Sequence, residues 1–195
     1  MLNYERGSEW RRWDLHIHTP GTLKNDQYEG KTIEEKWDNF YDTIAQYIGD
    51  GTDPLRTIEV IGITDYLSID NYNKVMKDSR LPDEIKLVLP NVELRMVPFA
   101  KTAPINIHCI FDPIYSDSLE SRFFGKLKFS FGGSAYSAVH DELIRLGRDY
   151  KNDKTLSEDQ AYIVGVNQFV LEFSVLKKIF DEDQELREHC IIVVS

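Results

Sequence analysis

Two histidines flank one isoleucine in Trp13-Asp14-Leu15-His16-Ile17-His18-Thr19. Side chains alternate across a strand, so this spacing points His16 and His18 to one face and Leu15 and Ile17 to the other. Two neutral imidazoles on one face can close on a single divalent metal when a neighbouring acceptor holds each ring in one tautomer. Asp14 and Thr19 are the nearest candidates for that support. The competing reading is two polar residues on the solvated face of an edge strand.

Three further apolar segments each deliver a metal-ligating side chain. Val60-Ile61-Gly62-Ile63-Thr64-Asp65-Tyr66 ends in a carboxylate. The run Ile85 to Leu89 is followed by Pro90-Asn91-Val92-Glu93, and Pro104-Ile105-Asn106-Ile107-His108-Cys109-Ile110-Phe111 carries a histidine. In folds with parallel strands the C-terminal strand ends converge on one face, where sites are built. His16, His18, Asp65, Glu93 and His108 are therefore expected to share one site. A mixture of imidazole and carboxylate suits zinc, manganese or iron better than calcium or magnesium.

Asp14-Leu15-His16-Ile17-His18-Thr19, Ile63-Thr64-Asp65, the Glu93 segment and His108, in that order, resemble the first motifs of the PHP (polymerase and histidinol phosphatase) superfamily. The resemblance covers about the first 110 residues. It implies a distorted seven-stranded β/α barrel that binds up to three divalent metals and hydrolyses phosphate esters. Ser8-Glu9-Trp10-Arg11-Arg12-Trp13 and the Thr19-Pro20 step look most like the PHP domain at the front of SMC-like ATPases. On this resemblance His16, His18 and Glu93 would hold one metal, and Glu93 would bridge to a second held with His108. Asp65 would ligate or orient the attacking water, which a bound metal makes acidic. The expected reaction is hydrolysis of a phosphomonoester or phosphodiester, with nucleic-acid ends a candidate substrate within a longer protein.

Two departures temper that expectation. The family's second motif usually reads Thr-Asp-His, and the third place here is Tyr66, whose phenol is protonated near neutral pH and ligates poorly. The family's late ligands are also missing. The apolar run Cys190-Ile191-Ile192-Val193-Val194 has nothing behind it but Ser195, which implies a barrel incomplete at its C-terminus. The rival expectation is a degenerate PHP domain that serves as a docking or regulatory module of a larger ATPase.

The elements that must position these residues follow from patterning. Thr32-Ile33-Glu34-Glu35 reads as a capping box, and Ile33, Trp37, Phe40, Tyr41, Ile44 and Ile48 keep helical spacing up to Gly49. Strands are expected at Ile58 to Thr64, Ile85 to Leu89, Arg95 to Phe99, Ile105 to Phe111, Tyr162 to Asn167 and the terminal run. Helices are expected around Asp70 to Lys77, from Ser134 to Leu146 with a stop at Gly147, and from Ser174 to Glu188. This alternation reads as one α/β domain over residues 1–195, interrupted by an irregular insertion at about 112–133. Within that insertion Arg122, Lys126 and Lys128 interleave with Phe123, Phe124, Phe129 and Phe131. That pattern suits either a phosphate clamp and base-stacking loop or, as the alternation of Leu127, Phe129 and Phe131 favours, aromatics packed on the domain beneath solvated lysines.

The remaining candidates are weaker. His140 and His189 read as structural, Asp26 is a possible early third ligand, and Asn167 is a poor ligand at an expected strand end. Cys109 and Cys190 sit in apolar runs and read as buried thiols, which suits a reducing cytoplasm. No apolar run approaches the roughly 18 residues of a membrane span, and the start lacks a signal-peptide core. The net charge of −10 counts against tight binding of nucleic acid by this domain alone.

Overall fold

Thr32 starts the first helix as its sequence demands. In the computed structural model, which describes residues 12–22, 27–53, 57–100 and 103–194, the Thr32 hydroxyl accepts from the Glu35 N–H at 3.2 Å. The Glu35 carboxylate reaches back to the Lys31 N–H at 2.6 Å, one residue earlier than a full capping box would place it. Helix α1 (Ile33–Tyr47) buries Trp37, Phe40, Tyr41 and Ile44, an i, i+3, i+4, i+7 stripe. Asp26, and Ser8 to Arg11 of the opening motif, lie outside the described residues.

Before α1 comes strand β1 (Arg12–Ile17), and after it β2 (Ile58–Tyr66), α2 (Asp70–Asp78), β3 (Leu87–Ala100) and β4 (Ala103–Phe111). The chain gathers into two units. The first is Met1–Thr64 with Asn71–Leu89, and the second is Asp65–Asp70 with Pro90–Ser195.

In the first unit β1 runs parallel to β2, with Asp14 opposite Ile61 and Ile17 opposite Ile63. β2 is buried on both faces, as expected of a parallel strand under cover. Gly62 lets β1 approach closely, because a Cβ there would overlap the Leu15 carbonyl. The Lys86 N–H donates to the Glu59 carbonyl at 2.7 Å and brings the approach to β3 alongside β2. Helices α1 and α2 are tied by Tyr41, whose hydroxyl donates to Asp78 at 2.8 Å, and flanked by the Arg80–Asp38 pair at 2.7 Å.

In the second unit β3 and β4 are antiparallel, with Glu93 opposite His108, Leu94 opposite Ile107 and Arg95 opposite Asn106. This departs from the parallel arrangement expected of the ligand-bearing strands. The cause is the tight connection, since Ala100 already pairs with Ala103 and a parallel crossover needs a dozen or more residues. The expected strands at Ile85 to Leu89 and Arg95 to Phe99 merge into the single β3. A 3₁₀ turn (Pro113–Ser118) and a π-helical turn (Glu120–Phe124) lead to the hairpin β5 (Lys128–Phe131) and β6 (Ser134–Ser137). Then follow α3 (His140–Lys151), α4 (Glu158–Gln168), the short β7 (Leu171–Glu172) parallel to β3, α5 (Phe173–Glu182), α6 (Gln184–Glu188) and β8 (Cys190–Val194) antiparallel to β4. Phe111, Phe123, Leu127 and Phe169 are among the fully buried side chains of this unit.

Three expectations are corrected here. Tyr162 to Asn167 is helical, because Ser157 and Gln160 form a reciprocal capping box that starts α4. Ser134 to Ser137 is strand, and α3 runs past Gly147 to a left-handed Asn152 at φ 51°. The helix read over Ser174 to Glu188 is broken at Asp183 into α5 and α6. The architecture is mixed α/β.

The insertion resolves into packing. Arg122 donates to both Asp183 carboxylate oxygens, at 2.9 and 2.6 Å, and to Glu185 at 2.9 Å. It is committed to α6 and its cap rather than to a phosphate. Phe129 stacks near Phe169 and Phe131 near Tyr150. Arg122 lowers the Asp183 carboxyl from 3.8 to about 2. A carboxyl whose folded pKa is depressed stabilises fully above its unfolded value and loses that contribution as pH falls through the folded one. Arg122→Leu is therefore expected to flatten the acid limb of stability between pH 4 and pH 2. Urea midpoints across that range check it, and an unchanged slope would assign the limb to other carboxylates.

Candidate metal centre

His16 lies in β1 and His18 just past its end, and their Nε2 atoms stand 3.0 Å apart. The shared face expected from the His-x-His spacing is therefore present. Two nitrogens bound tetrahedrally to one metal at 2.0–2.1 Å would be separated by ~3.3 Å, close to this distance. Burial pushes the His18 pKa below its ordinary value, the neighbouring His16 lowers it further, and a hydrogen bond to the Thr64 backbone opposes the change. His18 is thus held neutral at pH 7, the form that ligates. The Thr22 hydroxyl adds a contact at 3.4 Å to its Nδ1, and the Tyr28 hydroxyl donates to its backbone carbonyl at 3.1 Å.

The supporting residues differ from those expected. Asp14 accepts from the His16 backbone N–H at 3.1 Å and from the Tyr47 hydroxyl at 3.2 Å, so it braces the strand and α1 rather than an imidazole. The Thr19 hydroxyl is buried without a hydrogen-bond partner. Thr22 and Thr64 take the roles assigned to Asp14 and Thr19. The histidine pair opens on a cleft of about 580 Å³ whose far wall is the Asn39, Thr43 and Tyr47 face of α1.

The second unit contributes a different arrangement. Along β3, Asn91, Glu93 and Arg95 alternate with Val92, Leu94 and Met96, and on β4 Asn106 and His108 alternate with Ile107 and Cys109. Residues opposite one another on adjacent strands share a face. One face of the pair is therefore apolar and the other carries Asn91, Glu93, Arg95, Asn106 and His108. Glu93 and His108 are only 2% and 3% exposed. A Glu93 carboxylate oxygen and a His108 ring nitrogen lie within 4.8 Å, a spacing one metal ion can span.

Each of these two groups has its own amide. The Asn106 side chain donates to Glu93 Oε1 at 2.7 Å. The Asn91 Oδ1 lies 3.1 Å from His108 Nδ1 in a buried contact, and as an acceptor there it places the His108 proton on Nδ1 and leaves Nε2 able to ligate. Tyr66, at the end of β2, stands in the field of the Glu93 carboxylate. Its pKa is pushed up to about 12, first by burial and then by the Glu93 charge, while Arg95 opposes the shift. The phenol stays protonated. Arg95 stacks over the Tyr66 ring at 5.7 Å and donates to the Asn167 carbonyl at 2.9 Å and to the Val166 carbonyl, at the C-terminal end of α4.

Asp65 is buried, and its charge falls on Tyr162, whose phenol is pushed up by burial, by Asp70 and by Asp65. Asn167 contributes only its backbone carbonyl. His189 is held by Asp112 at 3.1 Å and packs on Tyr115, and His140 opens α3 and stacks near Tyr162. Both have structural surroundings. Asn91, Asn106 and Arg95 were not singled out as functional from the sequence, although their strict alternation with apolar residues marks them as one face.

No family model matches the chain, and no curated protein matches it. No helix among the described residues is long and apolar enough to cross a membrane.

Proposed function

We propose that the chain is a metal-dependent phosphoesterase-type domain of PHP-like descent, with His16, His18, Asp65, Glu93 and His108 as its ligand set. The observation that supports this reading most is the buried Glu93–His108 pair, opposed on adjacent strands with an amide supporting each group. A carboxylate and an imidazole buried together without a cation are costly, whereas a divalent ion between them offsets the desolvation of both. The donor set suits zinc, manganese or iron. Such an ion would supply a hydroxide-like water near neutral pH and a positive charge for phosphate oxygens. Glu93 and His108 would hold it, Asn91 and Asn106 would fix their orientation, and neutral His18 with His16 would add imidazole ligands. Asp65 would ligate the ion or orient the attacking water. A seven-stranded barrel and a placement beside an SMC-like ATPase belong to the same proposal.

Elemental analysis of the purified chain, beside a His16→Ala/Glu93→Ala double variant, tests it. One or more equivalents of zinc, manganese or iron, lost in the variant, and chelator-sensitive hydrolysis of bis-p-nitrophenyl phosphate are expected. No metal in either protein after soaking and desalting would overturn the proposal. The protonated Tyr66 would then favour a non-catalytic docking or regulatory module.

A further inference from the structure

We propose that the cleft beside the His16–His18 pair is a binding site for a neutral, hydroxyl-rich ring of the sugar class. That the ring arrives as a phosphate ester rests on the function proposed above; its binding to the cleft does not.

The cleft lies wholly within the first unit. Its volume of about 580 Å³ falls inside the ~300–1,000 Å³ range of pockets that hold small molecules. Asn39, Thr43 and Tyr47 are four residues apart, so they form one row along α1, beside the apolar stripe that the helix buries. Gln27 and Tyr28 line the cleft as well, and Ile17 and Ile44 add an apolar patch. A sugar ring matches both kinds of surface, with hydroxyls around its rim and C–H groups on its faces. Tyr47, 55% exposed, offers an aromatic face on which such a ring can pack.

The direction of the hydrogen bonds narrows the ligand class. The Tyr28 hydroxyl donates to the His18 carbonyl at 3.1 Å, and the Tyr47 hydroxyl donates to the Asp14 carboxylate at 3.2 Å. Each phenol has one proton, so both oxygens can only accept from a ligand. The side-chain amides of Gln27 and Asn39 donate as well as accept. Hydroxyl groups satisfy both demands.

Charge disfavours two rivals. Among the described residues that line the cleft there is no Lys, Arg, Asp or Glu. A second phosphate, as on a nucleic-acid strand, would set acceptor oxygens against the two phenols with no cation to offset its charge. The local field adds to this. The Tyr47 phenol is pushed up first by the Asp14 charge, then by burial and by its hydrogen bond to Asp14, while Arg12 opposes the shift. An ammonium group would find no carboxylate lining the cleft, since Asp14 accepts from the Tyr47 hydroxyl and the His16 backbone N–H. In the phosphoesterase reading the sugar is the alcohol released. The P–O bond to it breaks, and water supplies the oxygen that phosphorus gains and the proton that the sugar hydroxyl takes.

Titration of the metal-free full chain with methyl β-glucopyranoside, followed by backbone amide NMR, tests the site without turnover. The Asn39, Thr43 and Tyr47 signals should shift together. Thr43→Val/Tyr47→Phe keeps the shape of the wall and should bind the glucoside roughly tenfold more weakly, through the loss of two hydrogen bonds. No shift at these residues in the parent overturns the proposal, whether or not the variant folds, and so does equal affinity in a folded variant. Terminally phosphorylated tetrathymidylate that shifts the same signals at lower concentration also overturns it, because the cleft would then take a polyanion. The metal-loaded parent should hydrolyse β-glucosyl phosphate in preference to that oligonucleotide, and the reverse preference overturns the proposal. If the glucoside binds and neither ester is hydrolysed, the proposed function falls and the sugar site stands.

Discussion

Glu93→Gln is expected to bind zinc or manganese at least about 100-fold more weakly than the parent chain while keeping its fold. The loss should exceed the 10- to 100-fold cost of removing a group that merely supports a ligand. The amide is nearly isosteric with the carboxylate and still accepts from Asn106, so the 2.7 Å contact survives. What disappears is the negative charge at a site only 2% exposed, where no solvent replaces it. Glu93→Ala is a poorer probe. It leaves the half-buried Asn106 amide without its acceptor, at about 1–3 kcal/mol, so lost fold and lost metal would be confounded.

His108→Ala completes the argument from the opposite strand. It removes the imidazole and leaves Asn91 without its contact. Metal content and hydrolysis should fall together in His108→Ala and in Glu93→Gln, and combining the two should cost little more than either alone, since both remove the same ion. Elemental analysis and phosphodiester hydrolysis read both. Full metal content in Glu93→Gln would remove Glu93 from the ligand set and leave the histidine pair of the first unit as the remaining candidate.

The residues of this chemistry were more legible than their arrangement. The His-x-His face was readable because period two leaves no freedom in which side chains share a face, and the two Nε2 atoms stand 3.0 Å apart on it. α1 was readable to within a residue because its cap, its stripe and Gly49 agree. The parallel arrangement of Glu93 and His108 failed although the counter-evidence was in view, since too few residues separate β3 from β4 for a crossover. The strand expected at Tyr162 to Asn167 failed because Ile163, Val164 and Val166 are β-branched, a weak preference that the capping box and the neighbouring helix override. The supporting residues could not be assigned from the sequence. Asp14 and Thr22 are similar distances along the chain from the histidines, and only the folded backbone decides which one faces an imidazole.

Gly147→Ala and Gly165→Ala are each expected to destabilise the chain by about 3 kcal/mol, against a gain in helix propensity of about 1 kcal/mol that alanine would bring in an exposed helix. The helix stop expected at Gly147 falls inside α3. A Cβ there would overlap the Ala161 carbonyl oxygen of α4 and stand 2.7 Å from its carbonyl carbon. Gly165 of α4 meets the Leu143 carbonyl group of α3 in the same way, again 2.7 Å from the carbonyl carbon. The two glycines form a reciprocal contact that lets the helix backbones touch, and a rigid carbonyl, unlike the end of a long side chain, cannot move aside. Each variant should lower the melting temperature by roughly 6–12 °C for a chain of this size. The double variant should cost less than the sum, because helices already separated by one methyl accommodate the second more cheaply. The disturbance should also reach the candidate site. Arg95 is anchored on the Val166 and Asn167 carbonyls next to Gly165, so moving α4 outward pulls on the strand β3 that also carries Glu93. Gly165→Ala should therefore weaken metal binding more than Gly147→Ala, although both lie in the same helix contact. Urea unfolding with metal titration on the two variants measures both effects, and equal metal affinities would break the link from α4 to Glu93.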